Sequence, residues 1–197
     1  MDAPLYYASA VLKDGRVFVA GGEYNVSSQV DLLTAEIYDP VADSWAAVPT
    51  PPTWNNIGDA PSCVLPDGKV LLGDINSTRT TIFDPITKTW SLGGNKDDSS
   101  SEETWTLLPN QSILCAEVNN HPKAERYVIN TNTWVSAGST PPGSDLVLNE
   151  PGVSIEIGPA ILMPDGHVFC IGASGHSAIY DVKAGNMVCW TRFPRLQ

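Results

Sequence analysis

The stretch LPDGKVLLGDINSTRTTIFDPITKTW, residues 65–90, carries the pattern that decides the fold. An Asp-Gly turn leads into an apolar strand, a second strand ends at Phe83, and Trp90 follows seven residues later. Short apolar and β-branched runs bounded by turn residues are typical of β-strands. Pro85 cannot donate to a strand ladder, so Asp84-Pro85 marks a turn between two strands. The stretch therefore predicts antiparallel strands joined by tight turns.

The same pattern occurs four times along the chain, with some dilution in the later copies. The turns are Asp14-Gly15, Asp67-Gly68, Asn110-Gln111 and Asp165-Gly166. The aromatic residues are Tyr38, Phe83, Tyr127 and Tyr180, and the residues seven positions later are Trp45, Trp90, Trp134 and Met187. Self-similarity at such a period indicates a modular repeat fold, and no segment of helical length has 3.6-residue periodicity. We therefore expect an all-β chain with almost no helix.

Each copy of the pattern predicts one four-stranded antiparallel sheet. In the first copy we expect strands at 8–12, 17–20, 35–38 and 45–48, with a polar loop between the second and the third. The whole chain, 1–197, then forms one module of four sheets. Their approximate limits are 1–50, 51–95, 96–143 and 144–197.

The charge of the chain restricts its partners. It has 22 acidic and 11 basic residues, a net charge of −11, and no cluster of lysines or arginines. Nucleic acid and anionic membrane surfaces are therefore poor partners, while a protein, peptide or carbohydrate ligand fits the charge. The sequence shows no signal peptide and no apolar run of about 18 residues, the length that a membrane span needs. Secreted and cytoplasmic locations both stay open.

The repeated residues resemble kelch repeats. The resemblance rests on Asp-Gly-Lys/Arg-Val-Phe/Leu, on the Gly21-Gly22 pair, and on Tyr/Phe-Asp-Pro with Trp at plus seven. It implies a β-propeller, in which four-stranded blades surround a central channel. Propellers of this kind generally close with six or seven blades. Four blades therefore predict an incomplete ring, either a piece of a longer chain or one completed by a second copy, with open apolar faces that favour self-association.

The LPDG turn at 65–68 and its near copy MPDG at 163–166 resemble the galactose oxidase/kelch type of propeller. That resemblance implies copper held by tyrosines and histidines, with a Tyr-His pair opening an innermost strand. The matching positions, 5–6, 58–59 and 156–157, hold Leu-Tyr, Gly-Asp and Glu-Ile. The resemblance therefore assigns no copper ligand to this chain. We therefore expect a binding or interaction module. The alternative is a carbohydrate- or alcohol-active enzyme of the galactose oxidase/kelch type with an altered or missing metal site.

Loops of all four blades would meet at one mouth of the channel in this type of propeller. Those that enter the innermost strands and those that join second to third strands supply acids, amides and histidines. The candidate ligand residues are Asn56, Asp59, Asp74, Glu102, Glu117, Asn120, His121, Glu156 and His176. Such an acidic mouth would suit a divalent cation, a polyhydroxylated ligand or a cationic peptide. Two alternatives stay open: a solvated rim without a ligand, and a general acid/base pair of neighbouring carboxylates.

Three further groups of residues have a possible role in binding and a structural interpretation. Tyr6, Tyr7, Trp54 and Trp105 could form a platform for sugars or peptides, or could pack between inner strands. The segment 96–103, with four acidic residues, is expected to be a flexible acidic loop because it lacks calcium-loop spacing. The cysteines, which show no metal-ligand spacing, are expected to be buried thiols that act as small apolar side chains: Cys63, Cys115, Cys170 and Cys189.

Overall fold

The computed structural model describes the backbone of residues 4–184 and 190–193, and the side chains of residues 4–183. The chain forms four antiparallel sheets of four strands each, arranged one after another along the sequence. The all-β prediction and the prediction of four-stranded kelch-like blades are confirmed. No helix among the described residues is long and apolar enough to cross a membrane.

The strands are numbered β1 to β19 in chain order. A small sheet contains β1 (Pro4–Leu5), β4 (Tyr24–Asn25) and β5 (Ser28–Gln29). Blade one contains β2 (Ala8–Val11), β3 (Val17–Ala20), β6 (Ala35–Asp39) and β7 (Ser44–Ala47). Blade two contains β8 (Ser62–Val64), β9 (Val70–Gly73), β10 (Thr80–Asp84) and β11 (Thr89–Leu92).

The other two blades follow the same order. Blade three contains β12 (Trp105–Leu107), β13 (Ser112–Ala116), β14 (Lys123–Val128) and β15 (Thr133–Ser139). Blade four contains β16 (Ile157–Leu162), β17 (His167–Gly172), β18 (Ser177–Asp181) and β19 (Trp190–Phe193). Single turns of 3₁₀ helix lie between the third and fourth strands of these two blades, at Ile129–Thr131 and Val182–Ala184.

Two details of the repeat differ from the sequence prediction. The polar loop expected between the second and third strands of blade one contains β4 and β5, which pair with β1. In blade four, the residue paired with Tyr180 is Trp190 and not Met187, which lies outside the described residues. Trp190 follows Tyr180 by ten positions, so a fixed spacing of seven missed it.

One set of four cross-strand partners has the same register in every blade. We call it the aromatic row because its third and fourth members are aromatic. The rows are Val11–Val17–Tyr38–Trp45, Val64–Val70–Phe83–Trp90, Leu107–Ile113–Tyr127–Trp134 and Leu162–Val168–Tyr180–Trp190. Because side chains alternate along a strand, the preceding or following residues form a row on the opposite face.

That opposite row, here called the back row, is mostly aliphatic. The back rows are Ala10–Phe18–Ile37–Ala46, Cys63–Leu71–Ile82–Ser91, Thr106–Leu114–Arg126–Val135 and Ile161–Phe169–Ile179–Thr191. Each strand of a blade thus supplies one residue to each of two faces.

The back row of one blade packs against the aromatic row of the next. Phe18 of blade one stacks on Phe83 of blade two, with ring centroids 4.9 Å apart. Leu71 shares a buried cluster with Tyr127 of blade three, and Leu114 shares one with Tyr180 of blade four. Full burial of a side chain of this size contributes about 1.5–3 kcal/mol. These three interfaces hold the four blades in one arc.

The arc is open at both ends. Within the described part of the chain, the blades form no closed ring. Val11 and Trp45, in the aromatic row of blade one, are 69% and 55% exposed. Ile161, in the back row of blade four, is 58% exposed. The outer faces of the first and last blades therefore carry apolar side chains that are more exposed than their equivalents in the interior blades.

The innermost strands β2, β8, β12 and β16 lie beside one another around the channel. A cavity of about 340 Å³ opens there, and residues of all four blades line it, among them Ala8, Pro61, Trp105 and Ile157. The Gly21-Gly22 pair lets the chain of blade one come close to the loop that enters blade two. A Cβ on Gly21, whose φ is +75°, would lie 2.3 Å from the carbonyl oxygen of Gly58. Glycine is therefore needed at this position.

Candidate functional site

Four carboxylates, one from each blade, meet at one end of the channel. Glu23, Asp59, Glu102 and Glu156 line a depression of about 310 Å³ together with two tyrosines, Tyr6 and Tyr24. Tyr6, Asp59 and Glu102 also line the channel cavity, so the two spaces adjoin. We call these six residues the acidic mouth. Three of its carboxylates, Asp59, Glu102 and Glu156, are among the candidates that the sequence placed at the channel.

Backbone hydrogen bonds between neighbouring segments position these acids. The Glu23 N–H donates to the carbonyl of Leu5 at 3.0 Å. The carbonyl of Glu102 accepts from the N–H of Ile157 at 3.0 Å, which ties the loop entering blade three to the first strand of blade four. Glu102 has a φ of 59°, a left-handed conformation that few non-glycine residues adopt. The carboxylates therefore stand on tethered backbone rather than on free loop tips.

The charges of the acidic mouth act on one another. Partial burial raises the pKa of Glu102 to about 8, and the charge of Asp59, a hydrogen bond with Asp59, and the charges of Glu156 and Glu23 contribute further. The neighbouring carboxylates thus disfavour the ionisation of Glu102, as expected for like charges in one site. A bound cation would relieve this repulsion.

Among the residues that the structure describes, none of the four carboxylates forms an ion pair with a lysine, arginine or histidine. Glu23 accepts one hydrogen bond, from the Gln29 side chain at 3.0 Å. Tyr6 is 69% exposed and contacts Tyr24 edge to face, with centroids 5.9 Å apart. Carboxylates beside exposed rings suit an ammonium or a guanidinium group, which binds to both.

Two candidates of the second blade have structural partners instead. Asp74 is buried, accepts two hydrogen bonds from Arg79 at 3.1 and 2.7 Å, and accepts a third from the hydroxyl of Ser77 at 2.7 Å. Asn56 donates to Asp31 at 3.3 Å and accepts from Asn76 at 2.6 Å. These bonds use the side chains to hold the loops of blades one and two.

The expectation of a flexible acidic loop at 96–103 was wrong. Lys96 is fully buried, and its ammonium donates to both oxygens of Glu103 and to Glu117, each at 2.8 Å, and to Asp98 at 3.3 Å. The ammonium also lies 5.5 Å from the ring centroid of Trp134. We call Lys96, Asp98, Glu103 and Glu117 the buried ion cluster. It anchors the segment between blades two and three.

Two site candidates and one cysteine belong to this cluster rather than to the mouth. Glu117 is 1% exposed, and the backbone N–H of Asn120 donates to Asp98 at 2.8 Å. The Cys115 thiol donates to Glu103 at 3.2 Å, so this cysteine has a polar role beyond that of a small apolar side chain. Burial raises the pKa of Glu117, and Lys96 offsets only part of that effect.

Glu103, Cys115 and Glu117 have ligand atoms within 4.8 Å of one another, a spacing that a metal ion could use. The Lys96 ammonium stands among them and bonds to all three. The ammonium group of Lys96 thus occupies the position that a metal ion would take between these three side chains. Burial by itself lowers the pKa of Lys96, but Cys115, Glu103 and Glu117 around it raise the pKa well above its ordinary value.

The two candidate histidines lie around one aspartate in the connection between blades three and four. His121 Nδ1 donates to the carboxylate of Asp145 at 2.7 Å, and His121 Nε2 accepts from Asn149 at 3.1 Å. His176 Nδ1 donates to the backbone carbonyl of Asp145 at 3.0 Å. Both imidazoles therefore fix this connection in place.

The residues of the mouth do not fit the copper site that the galactose oxidase resemblance implies. The resemblance implies tyrosines and histidines as the ligands of that site. The acidic mouth offers Tyr6 and Tyr24 with four carboxylates, and its lining includes no histidine or cysteine. Cys115 and Cys170 are buried between blades.

The aromatic candidates separate into two groups. Trp54 and Trp105 are 7% and 8% exposed and lie in the interblade cores, as the packing interpretation expects. Tyr6 and Tyr7 are exposed and line the channel cavity. Trp105 also borders this cavity, but of the four aromatic candidates only the two tyrosines are exposed.

Sequence reasoning missed some residues that organise these sites. Lys96 and Asp145 lie in connections between blades, where the repeat provides no register. Glu23 lies on a loop that the sequence places at the mouth, after the Gly21-Gly22 pair, but it was not chosen as a candidate ligand residue. Tyr24 starts a strand that the sequence did not predict.

Comparison with known proteins gives two matches. Residues 4–52 match the family model of the Kelch motif. The Kelch-like protein terF of Aspergillus terreus (strain NIH 2624 / FGSC A1156) is 31% identical over 115 residues, which is 55% of this chain and 23% of that protein. The chain thus spans less than a quarter of this relative. The predicted resemblance to kelch repeats is confirmed by these matches, and it agrees with the four-stranded blades of the fold.

Proposed function

We propose that this kelch-repeat chain is an interaction module whose acidic mouth binds a cationic group of a partner protein or peptide. One observation carries the proposal: Glu23, Asp59, Glu102 and Glu156 converge from four blades without a described cationic side chain among them. The buried ion cluster shows the contrast, because its carboxylates surround Lys96. An arginine or lysine of a partner would supply the missing charge at the mouth.

The tyrosines make the mouth more selective than a charged surface alone. Tyr6 and Tyr24 form one side of the depression, and a guanidinium can stack on such rings while it donates to the carboxylates. Lysine offers three donors but no plane to stack. We therefore expect arginine peptides to bind more tightly than lysine peptides of the same length.

Calorimetric titration with a blocked peptide of alternating glycine and arginine tests the proposal. The double variant Glu102→Gln, Glu156→Gln should weaken binding by about tenfold or more, because charged hydrogen bonds contribute about 1.5–3 kcal/mol each. Glu36→Gln is the matched control, since Glu36 is an exposed carboxylate on β6, away from the mouth. If both variants lost the same amount of peptide affinity, the peptide would be held by the general negative charge of the chain and not by the acidic mouth. That result would contradict the proposal.

A second candidate function is a carbohydrate- or alcohol-active enzyme. The observation in its favour is the raised pKa of Glu102 beside the Asp59 carboxyl group in one depression, because two neighbouring carboxyl groups can act as acid and base. Hydrolysis of nitrophenyl glycosides would support this candidate if the rate fell sharply in both Asp59→Asn and Glu102→Gln. Binding of the arginine peptide without any turnover would favour the interaction module.

A further inference from the structure

A groove of about 310 Å³ lies beside β11, the edge strand of blade two. We call it the outer groove, and its lining includes Thr53, Trp54, Arg79, Trp90 and Leu92. We propose that the outer groove binds the C-terminal residue of a partner peptide, whose carboxylate accepts from Arg79 while an apolar side chain packs on the groove walls. The outer groove and the acidic mouth share no described lining residue, so this proposal does not depend on the function of the mouth.

The Arg79 guanidinium is fixed on one side and faces the groove with the other. Its Nε and Nη2 donate to the buried Asp74 carboxylate at 3.1 and 2.7 Å, and Nε also donates to the hydroxyl of Ser77 at 3.0 Å. Among the described residues, Nη1 has one acceptor, the Thr53 hydroxyl at 3.5 Å, which is beyond the usual range of about 2.7–3.2 Å. The N–H groups of Nη1 can therefore donate to a ligand, and Asp74 orients them in advance.

Thr53 has a backbone conformation that its side chain disfavours. Its φ is 69°, in the left-handed region that β-branched residues rarely adopt. Such strained residues are often found where a protein holds a ligand. Here the strained residue places a hydroxyl beside Nη1 of Arg79, so that one carboxylate can accept from both groups.

The walls of the outer groove are apolar and held in place. The Trp90 ring packs 4.8 Å from that of Phe83, and its Nε1 donates to the carbonyl of Pro49 at 2.7 Å. Trp54 is 7% exposed, whereas Leu92, which lines the same groove, is 81% exposed. None of the described residues that line the groove is acidic, although the whole chain carries a net charge of −11. A guanidinium among apolar walls complements an anionic group with an apolar neighbour.

The size of the groove favours the C-terminal residue of a peptide as the ligand. A volume of about 310 Å³ is at the lower end for ligand pockets, so the carboxylate and the apolar group of the ligand must be close together. In a C-terminal residue, the carboxylate and the side chain are attached to the same carbon atom. An internal aspartate or glutamate has its apolar neighbours on adjacent residues, whose side chains point to the other side of an extended chain.

NMR titration of the ¹⁵N-labelled indole groups with blocked tripeptides tests the proposal. The probe is acetyl-Gly-Gly-Leu with a free carboxylate, at about 150 mM salt, which screens the net charge of the chain beyond about 8 Å. We expect this peptide to shift the signals of Trp54 and Trp90 until they saturate. The same peptide with a C-terminal amide should bind at least about tenfold more weakly, because it lacks the charge that strengthens the hydrogen bonds with Arg79.

Variants of the groove locate the binding. Arg79→Lys keeps a cation for Asp74 but removes Nη1, so it should weaken the affinity for the free-acid peptide at least about tenfold. Arg16→Lys is the matched control, because Arg16 bonds to Asp14 through Nε and Nη2 in the same way outside the groove. Leu92→Asn changes an exposed wall residue and should weaken binding about threefold. If thermal unfolding shows that Arg79→Lys is not folded, Leu92→Asn and the amide peptide still decide the result.

Four results would overturn the proposal. The first is the absence of saturable binding by the free-acid peptide, and the second is equal affinity for the free acid and the amide. The third is an equal loss of affinity in Arg79→Lys and Arg16→Lys, which would reveal general charge attraction. The fourth is equally tight binding of acetyl-Gly-Asp-Leu with a C-terminal amide, which would assign the groove to acidic side chains and not to a chain terminus.

Discussion

Replacing Lys96 with methionine will lower the free energy of unfolding by about 3–5 kcal/mol, because the change leaves buried carboxylates without their cation. Lys96 is fully buried and bonds to Glu103, Glu117 and Asp98. Methionine keeps most of the volume and the apolar stem, so the loss reports the charge rather than a cavity. The carboxyl groups would have to take up protons or admit water, and the segment between blades two and three would loosen.

Urea unfolding followed by tryptophan fluorescence measures this effect. Lys123→Met is the matched control, because Lys123 is exposed at the start of β14 and its replacement should change stability by less than about 0.5 kcal/mol. The double variant Lys96→Met, Glu117→Gln should recover part of the loss, since it removes one of the stranded charges. A loss below about 1 kcal/mol in Lys96→Met would show that the buried ion cluster does not hold the blades.

Replacing Phe83 with alanine will destabilise the chain by about 3–5 kcal/mol, the range for a large aromatic removed from a packed core. Phe83 is 0% exposed and stacks between two rings, with centroids 4.9 Å from Phe18 and 4.8 Å from Trp90. Its loss opens a cavity in the interface between blades one and two. The neighbouring rings, fixed on two different sheets, cannot move together to fill it.

Tyr38→Ala provides a control at the same register. Tyr38 takes the place of Phe83 in the aromatic row of blade one, but it is partly exposed because no described blade covers that face. Its replacement in dilute, monomeric protein should cost about 1 kcal/mol, consisting mainly of the contact with Trp45. Equal costs at the two positions would contradict the account of the interblade interfaces.

Most of the fold could be predicted from the sequence because the repeat specifies a register. Tyr38 and Trp45 lie opposite each other on two strands that are joined by a turn, and so do Phe83 and Trp90. The seven-residue spacing is the length of chain between such partners, and it therefore identifies them in the sequence. The same registers placed Asp59, Glu102 and Glu156 at one end of the channel. The rule failed at Tyr180, whose partner Trp190 follows ten positions later, and at β4 and β5, which have no equivalent in the described parts of the other blades.

The rest of the site could not be predicted, because it depends on residues outside the repeat. Asp74 and Glu117 end equivalent inner strands and were expected to face the mouth. Each is drawn inward by a cation, Arg79 or Lys96, that no repeat position specifies. His121 and His176 likewise depend on Asp145, which lies in a long connection. A strand end indicates where a side chain starts, but its charged partners decide where it points.

The most direct test of the acidic mouth is a ¹³C NMR titration of the Glu102 carboxyl group with and without the arginine peptide. The account predicts a pKa of about 8 in the free protein, a lower value in Asp59→Asn, and a fall when peptide binds, because a cation favours the ionised carboxylate. An ordinary value near 4.5 that does not respond to the peptide would contradict the claim that these carboxylates form one cation-binding site.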